Sequence, residues 1–185
     1  MGLDITAYRK VTVLEGAVFD HHGEPMMADG TGLWDAKFPW FTVYANDHFP
    51  GREHPLIDGK IMRADDGMSF RAGSYCWYGD WRDNLARLAG WPQAKLSDEH
   101  GNRFLFQLSA CLASGGPLWE WLCFSDCEGI IGSIAAKKIY AEMLEIKITL
   151  DDFDDKCQYS SFMDKWDDWL KAFEMAADGG AVEFH

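Results

Sequence analysis

Phe162-Met163-Asp164-Lys165-Trp166-Asp167-Asp168-Trp169-Leu170-Lys171-Ala172-Phe173, followed by Asp178-Gly179-Gly180-Ala181-Val182-Glu183-Phe184, decides the fold class of this chain. Phe162, Trp166, Trp169, Leu170 and Phe173 recur at helical spacing, with Asp164, Lys165, Asp167, Asp168 and Lys171 opposite. That is an amphipathic helix with one wide apolar stripe. Gly179-Gly180 ends it, and Ala181 to Phe184 reads as a short terminal strand. At the other end, Leu3 to Leu14 is rich in β-branched and aromatic residues, as strands are. Strands at both ends with helices between them predict an α+β fold. The expected form is a single compact domain over 1–185, with a mixed or antiparallel sheet and about three helices.

Further elements follow inward from the two ends. Trp81 to Ala89 reads as a helix, with Asp80 as N-cap, Trp81, Leu85 and Leu88 on one face, Gly90 at C′ and Pro92 beyond. Ser133 is expected to cap another, in which Ala135, Ile139, Met143 and Ile146 share a face. Phe41 to Ala45 reads as a short strand and Ser69 to Tyr75 as extended chain. Leu118 to Phe124 is apolar on both faces apart from Glu120, which suits a central strand. Phe104 to Leu112 fits strand or helix equally. Phe49-Pro50-Gly51-Arg52 and Asp58-Gly59 read as turns, and residues 18–37 as an irregular loop or insertion.

The composition narrows the function classes. The 185 residues form a one-domain length with 48% apolar and 25% charged residues, a globular balance. Nine Trp make the chain aromatic-rich. A net charge of −13 argues against direct nucleic-acid binding, which needs clustered Lys and Arg, and against an anionic membrane surface. No run of about 18 apolar residues suggests a membrane span, and Met1 to Lys10 lacks the pattern of a secretory signal. Met1 to Thr6 fits the loose myristoylation pattern, but the alternation of Leu3 and Ile5 favours a strand. Five cysteines without framework spacing read as reduced thiols in a cytoplasm. The common phosphate-loop, dinucleotide, nucleophile-elbow and zinc-protease motifs are absent from the sequence.

Several stretches carry a family resemblance: Met1 to Tyr8, Phe49 to Arg52, Phe70 to Tyr75, Trp81-Arg82, Phe124 to Gly129 with Gly132, and Ala172 to His185. In these the chain resembles a family of small proteins encoded by bacteriophages and prophages. The resemblance implies a phage origin and the cytoplasm of a bacterial host. It supplies no catalytic residues, and residues 18–37 have no counterpart in it.

Three groups of residues are candidate sites. In Phe124-Ser125-Asp126-Cys127-Glu128-Gly129, an extended backbone would put Asp126 and Glu128 on one side and Cys127 on the other. Two such carboxylates could hold a divalent cation or divide into an acid and a base. The plainer reading makes Asp126 a turn cap, Gly129 a positive-φ residue and Glu128 solvated, and the pair lacks a third ligand, so no cofactor is expected. Cys127 between carboxylates is a poor thiolate, and Cys123 with Cys127 finds no second pair for zinc. The second group is Arg71, Tyr75, Tyr78 and Arg82, where Arg71 could hold the anionic group of a nucleotide-like ligand while an aromatic ring stacks on its base. The plainer reading pairs Arg71 with a carboxylate and puts the aromatics in the core. The third is acidic: from Ala141 to His185 twelve acids face four bases, a net −8 of the total −13. Asp151, Asp152, Asp154, Asp155, Asp164, Asp167 and Asp168 form the expected partner-binding surface, although Asp before a helix also serves as a cap.

These readings favour a phage-encoded, non-enzymatic acidic protein that binds and modulates a bacterial host factor, a defence component among the candidates. The alternative is a small-ligand or metal-assisted hydrolase site built from Arg71, Tyr75, Asp126 and Glu128.

Overall fold

The computed structural model describes residues 2–98 and 101–185. In chain order the strands and helices are β1 (Gly2–Arg9), β2 (Thr12–Val13), β3 (Ala17–Phe19), β4 (Pro25–Met27), β5 (Trp40–Thr42), β6 (Ile61–Arg63), β7 (Asp66–Ser74), α1 (Tyr75–Leu88), β8 (Ala94–Asp98), β9 (Gly101–Leu105), α2 (Phe106–Leu112), α3 (Trp119–Leu122), β10 (Gly129–Gly132), α4 (Ser133–Glu145), α5 (Lys156–Ala177) and β11 (Ala181–Phe184). The fold is α+β, as the two ends of the sequence imply. Three helices are long: α1, α4 and α5.

The main sheet is antiparallel throughout, in the order β10-β11-β1-β7, so the first and last strands pair at its centre. Alternation in β1 explains its place there. Leu3, Ile5 and Ala7 are fully buried on the helix-covered face, and Asp4, Thr6 and Tyr8 point the other way. The helix side holds the large core, where Trp81, Trp121, Phe162, Trp169 and Phe173 pack with Phe184. On the opposite face, the small sheet β2-β6-β5 covers Tyr8, Ile130 and Ala181 with Phe41 and Met62. The rings of Tyr8 and Phe41 stack at 4.2 Å. The rest of that face carries polar side chains: Thr6 Oγ1 lies 3.0 Å from both Ser69 Oγ and His185 Nε2.

Several sequence expectations need correction. Helix α1 begins six residues before Trp81: Ser74 is its N-cap, its hydroxyl accepting from the Trp77 amide at 3.2 Å, and Asp80 lies inside the helix. Leu118 to Phe124 is no central strand. Leu118 adopts a left-handed conformation at φ 55°, and Trp119–Leu122 is a single helical turn. Trp121 and Leu122 face the core, and Glu120 turns away to meet Lys138. The strand buried on both faces is β10, too short and glycine-flanked to show any periodicity. Phe104 to Leu112 divides at Leu105 into the end of β9 and the short helix α2. Gly132, not Ser133, occupies the N-cap position of α4, without a side-chain cap. Within 18–37 the chain makes the hairpin of β3 and β4 and one 3-10 turn, Leu33–Asp35.

Burial of Glu183 on β11 has a measurable consequence. Its carboxyl is raised above the ordinary value of 4.5 by desolvation, although the Tyr8 hydroxyl donates to it at 2.7 Å. The same burial, with Glu183 alongside, pushes the Tyr8 phenol well above its usual range. A carboxyl raised in the folded state favours folding fully below its unfolded value, and that contribution is lost as pH rises through the folded value. Glu183→Gln, which still accepts from Tyr8, is therefore expected to be more stable than the parent protein at pH 7. The advantage should disappear below about pH 4.5, the ordinary carboxyl value. Urea midpoints at both pH values would check this, and an equal advantage at both would contradict it.

Candidate functional site

The structure separates the residues of the expected ligand site. Arg71 on edge strand β7 pairs with Asp4 of β1 at 3.2 Å on the open face of the sheet. Glu128 precedes β10 at the other edge, three strand spacings away or roughly 14 Å. Tyr75 opens α1 and packs against the main core. Tyr78 is fully buried, its hydroxyl accepting from Trp121 Nε1 at 3.0 Å, and burial raises its phenol. Thus Arg71 has a carboxylate partner and the aromatics largely fill the core. In the 124–129 segment, Ser125 makes the turn in place of Asp126: its Oγ accepts from the Cys127 and Glu128 amides at 3.3 and 3.2 Å. Gly129 has the expected positive φ, 119°, and Glu128 is exposed. Among the described residues, no group of three or more His, Cys, Asp or Glu side chains is placed to hold a metal ion.

Three of the predicted residues do meet: Arg82, Asp126 and Tyr78. Arg82, only 6% exposed, donates from Nη1 to the Phe124 carbonyl at 2.8 Å. Its Nη2 lies 3.9 Å from Asp126 Oδ2, and its guanidinium stands 4.7 Å from the Tyr78 ring centre. Beside it opens a cavity of about 520 Å³ that sequence reasoning missed. The turn Phe49–Arg52 forms one wall, held because the Gly132 amide donates to the Arg52 carbonyl at 2.7 Å. Arg52 lies 4.3 Å over the Trp119 ring and donates from Nε to the Glu120 carbonyl at 3.1 Å. Burial lowers the Arg52 guanidinium from its ordinary value, with Glu120 opposing the shift. Cys111 and Cys123 line the same cavity, and the Cys111 thiol donates to the Leu122 carbonyl at 3.8 Å. The neighbouring Cys123 thiol, assisted by Arg82, lowers the Cys111 thiol against its burial, while Cys111 and burial together raise Cys123. The sequence signal for this site was present only in pieces: Phe49 to Arg52, Trp81-Arg82 and Phe124 to Gly129 were each singled out, with nothing to say that they converge.

The acidic residues fall into distinct roles. Asp155 caps α5 by accepting from the Gln158 amide at 2.8 Å, and Asp152 accepts from the Thr149 amide at 2.7 Å. The Thr149 amide and hydroxyl, both donating to it, hold Asp152 below the usual carboxylate range. Asp168 pairs with Lys165 at 3.0 Å. Asp151, Asp154, Asp164 and Asp167 are exposed. Next to Asp154 lies a groove of about 400 Å³ between α1 and the start of α5, walled by Trp77, Trp81, Phe153 and Phe162 with Asp80 at its edge. Among the described residues, no helix is long and apolar enough to cross a membrane.

No protein-family model matches this sequence, and neither a curated protein nor a solved structure does.

Proposed function

We propose that this is a phage-encoded, non-enzymatic interaction protein of the bacterial cytoplasm. It captures a basic, apolar-containing segment of a host factor and modulates that factor. The groove between α1 and α5 carries this reading: its aromatic floor has Asp80 at the edge, and Phe153 of its wall is flanked in the chain by the exposed Asp151 and Asp154. Asp80, Asp151 and Asp154 have no ion pair among the described residues. Rings supply desolvated contact area, and the acidic margin supplies steering and register. A host defence component would meet these terms if it presents a lysine- or arginine-rich segment with a bulky apolar side chain. The net charge of −13 extends the attraction beyond contact range at low salt.

The test is capture from bacterial lysate at low salt, read by native mass spectrometry, followed by kinetics on the partner found. The double variant Asp151→Lys with Asp154→Lys should associate about tenfold more slowly and show a flatter salt dependence, as charge steering predicts. Trp77→Ala should accelerate dissociation instead, since it removes buried contact and no charge. Absence of any retained partner, or a partner held equally by both variants, would overturn the reading.

A further inference from the structure

The cavity beside Arg52 and Arg82 shares α1 with the acidic groove but none of its lining residues, and its chemistry has the opposite sign. In a chain of net charge −13, two guanidiniums face one concavity. Arg82 is the more telling. Its side chain is 8% exposed, yet its nearest carboxylate, Asp126, is half exposed and 3.9 Å away. Its buried Nε has no hydrogen-bond partner. Buried cations are ordinarily paired, and a buried donor without a partner costs free energy. Arg52 has one donor engaged by a backbone carbonyl, and no carboxylate lies within ion-pair distance of it among the described residues. Bringing a second cation to the same cavity adds to the cost of both charges. An anion between them would relieve it, and guanidinium forks suit a tetrahedral or planar oxyanion.

The rest of the cavity defines the rest of the ligand. Phe49, Trp119 and Phe124 make most of its surface apolar and aromatic, a fit for a flat ring and not for a bare ion. A volume of about 520 Å³ falls within the range of sites for small organic ligands. Gln107 is fixed in the wall because its amide nitrogen donates to the Leu122 carbonyl at 2.8 Å, which leaves its side-chain oxygen as an acceptor for a ring amine.

We propose that this cavity binds a phosphate monoester carrying a planar heterocycle, of the nucleoside monophosphate class, with its phosphate between Arg52 and Arg82. Of the six residues expected to bind a ligand, only Arg82 lines this cavity, and the site does not depend on the partner-binding reading above.

Titration calorimetry of the full chain with the common nucleoside 5′-monophosphates, and separately with inorganic phosphate, tests the assignment. At least one nucleotide should bind with micromolar affinity, and phosphate alone should bind at least tenfold more weakly. Arg52→Gln should weaken the nucleotide at least tenfold. Cys111 gives a second measurement on the unaltered protein, because it lines the cavity while Cys76, Cys127 and Cys157 are exposed elsewhere. A bound nucleotide should slow alkylation of Cys111 severalfold and leave Cys76 and Cys127 unchanged. This readout decides the matter if Arg52→Gln does not fold. No nucleotide binding at millimolar concentration would overturn the proposal. So would phosphate binding as tightly as any nucleotide, or nucleotide binding that leaves Cys111 unprotected.

Discussion

Trp169→Ala is expected to lower stability by about 3–5 kcal/mol, the usual range for emptying a large aromatic site in a core. Trp169 is fully buried on α5 and is the ring through which most of the core is connected. It meets Phe70 of β7 at 5.1 Å between centres, Trp121 of α3 at 4.8 Å and Phe184 of β11 at 5.6 Å. It also stacks with Tyr78 of α1 at 5.7 Å and with Phe173 of its own helix at the same distance. No single relaxation can refill the hole, because the surrounding rings belong to four other elements with separate backbones. Domains of this size have roughly 5–15 kcal/mol of stability in all, so the variant should be partly unfolded near physiological temperature. Trp169→Phe should cost clearly less. It keeps a ring in place and removes an indole N–H that has no hydrogen-bond partner. Urea unfolding followed by circular dichroism would show the two midpoints. Equal midpoints would mean that the indole is not the organising contact.

The parts of the fold that were legible in the sequence are those where one physical signal dominates. In α5 the apolar stripe runs for three turns without interruption, and the structure buries Phe162, Trp166, Trp169 and Phe173 along it. In β1 the alternation of Leu3, Ile5 and Ala7 needs only one covered face to become a strand. The misreadings occurred where signals compete. Tyr75 to Tyr78 carry aromatic residues that favour strands, and Gly79 follows them, so Asp80 looked like the first cap. Tertiary contact reverses that preference: Tyr78 is fully buried among Trp81, Trp121 and Trp169, and only a helix begun at Ser74 places it there. Leu118 to Phe124 was harder still. Its apolar residues face inward from a single turn bent at Leu118, where a continuous apolar run cannot be told from a strand.

The site was less legible than the fold, for a related reason. Arg82 and Asp126 were singled out, and they do approach each other, but the contact is an ion pair against a backbone carbonyl acceptor. What makes the region a candidate site is the addition of Arg52 and Cys111, brought from two other segments to lie beside Cys123. Their spacing in the chain follows no motif, since the residues are joined through the docking of 49–52 against β10 and α3 and of α2 against α3. A constellation assembled by tertiary packing leaves no local periodicity to read. The acidic surface shows the converse: its charge was plain from composition, while its division into caps, an ion pair and free carboxylates was not.

Gly180→Ala is expected to be nearly as damaging as the loss of Trp169, and its neighbour Gly179 supplies the control. The two adjacent glycines do different things. Gly179 adopts φ +66°, with nothing closer to a Cβ than the Lys10 Cα at 4.0 Å. Alanine there meets only the left-handed backbone cost, roughly 1–2 kcal/mol. Gly180 is where α5 closes onto the central strand. Its amide donates to the Ala176 carbonyl at 2.8 Å, and the next residue, Ala181, pairs with Tyr8. A Cβ at Gly180 would overlap the Tyr8 carbonyl oxygen and stand 3.0 Å from the Ala176 Cα. Both obstacles are backbone, so no rotamer change can admit the methyl group. Either β1 shifts, disturbing Leu3, Ile5 and Ala7, or β11 loses its register with β1 and β10. Overpacking typically costs 1–3 kcal/mol, and with backbone on both sides about 3 kcal/mol or more is expected here. Urea midpoints for the two alanine variants should therefore fall in the order parent, Gly179→Ala, Gly180→Ala. The reverse order would show that the helix-to-strand junction can move away from Tyr8, and that the paired terminal strands are not the rigid centre of the sheet.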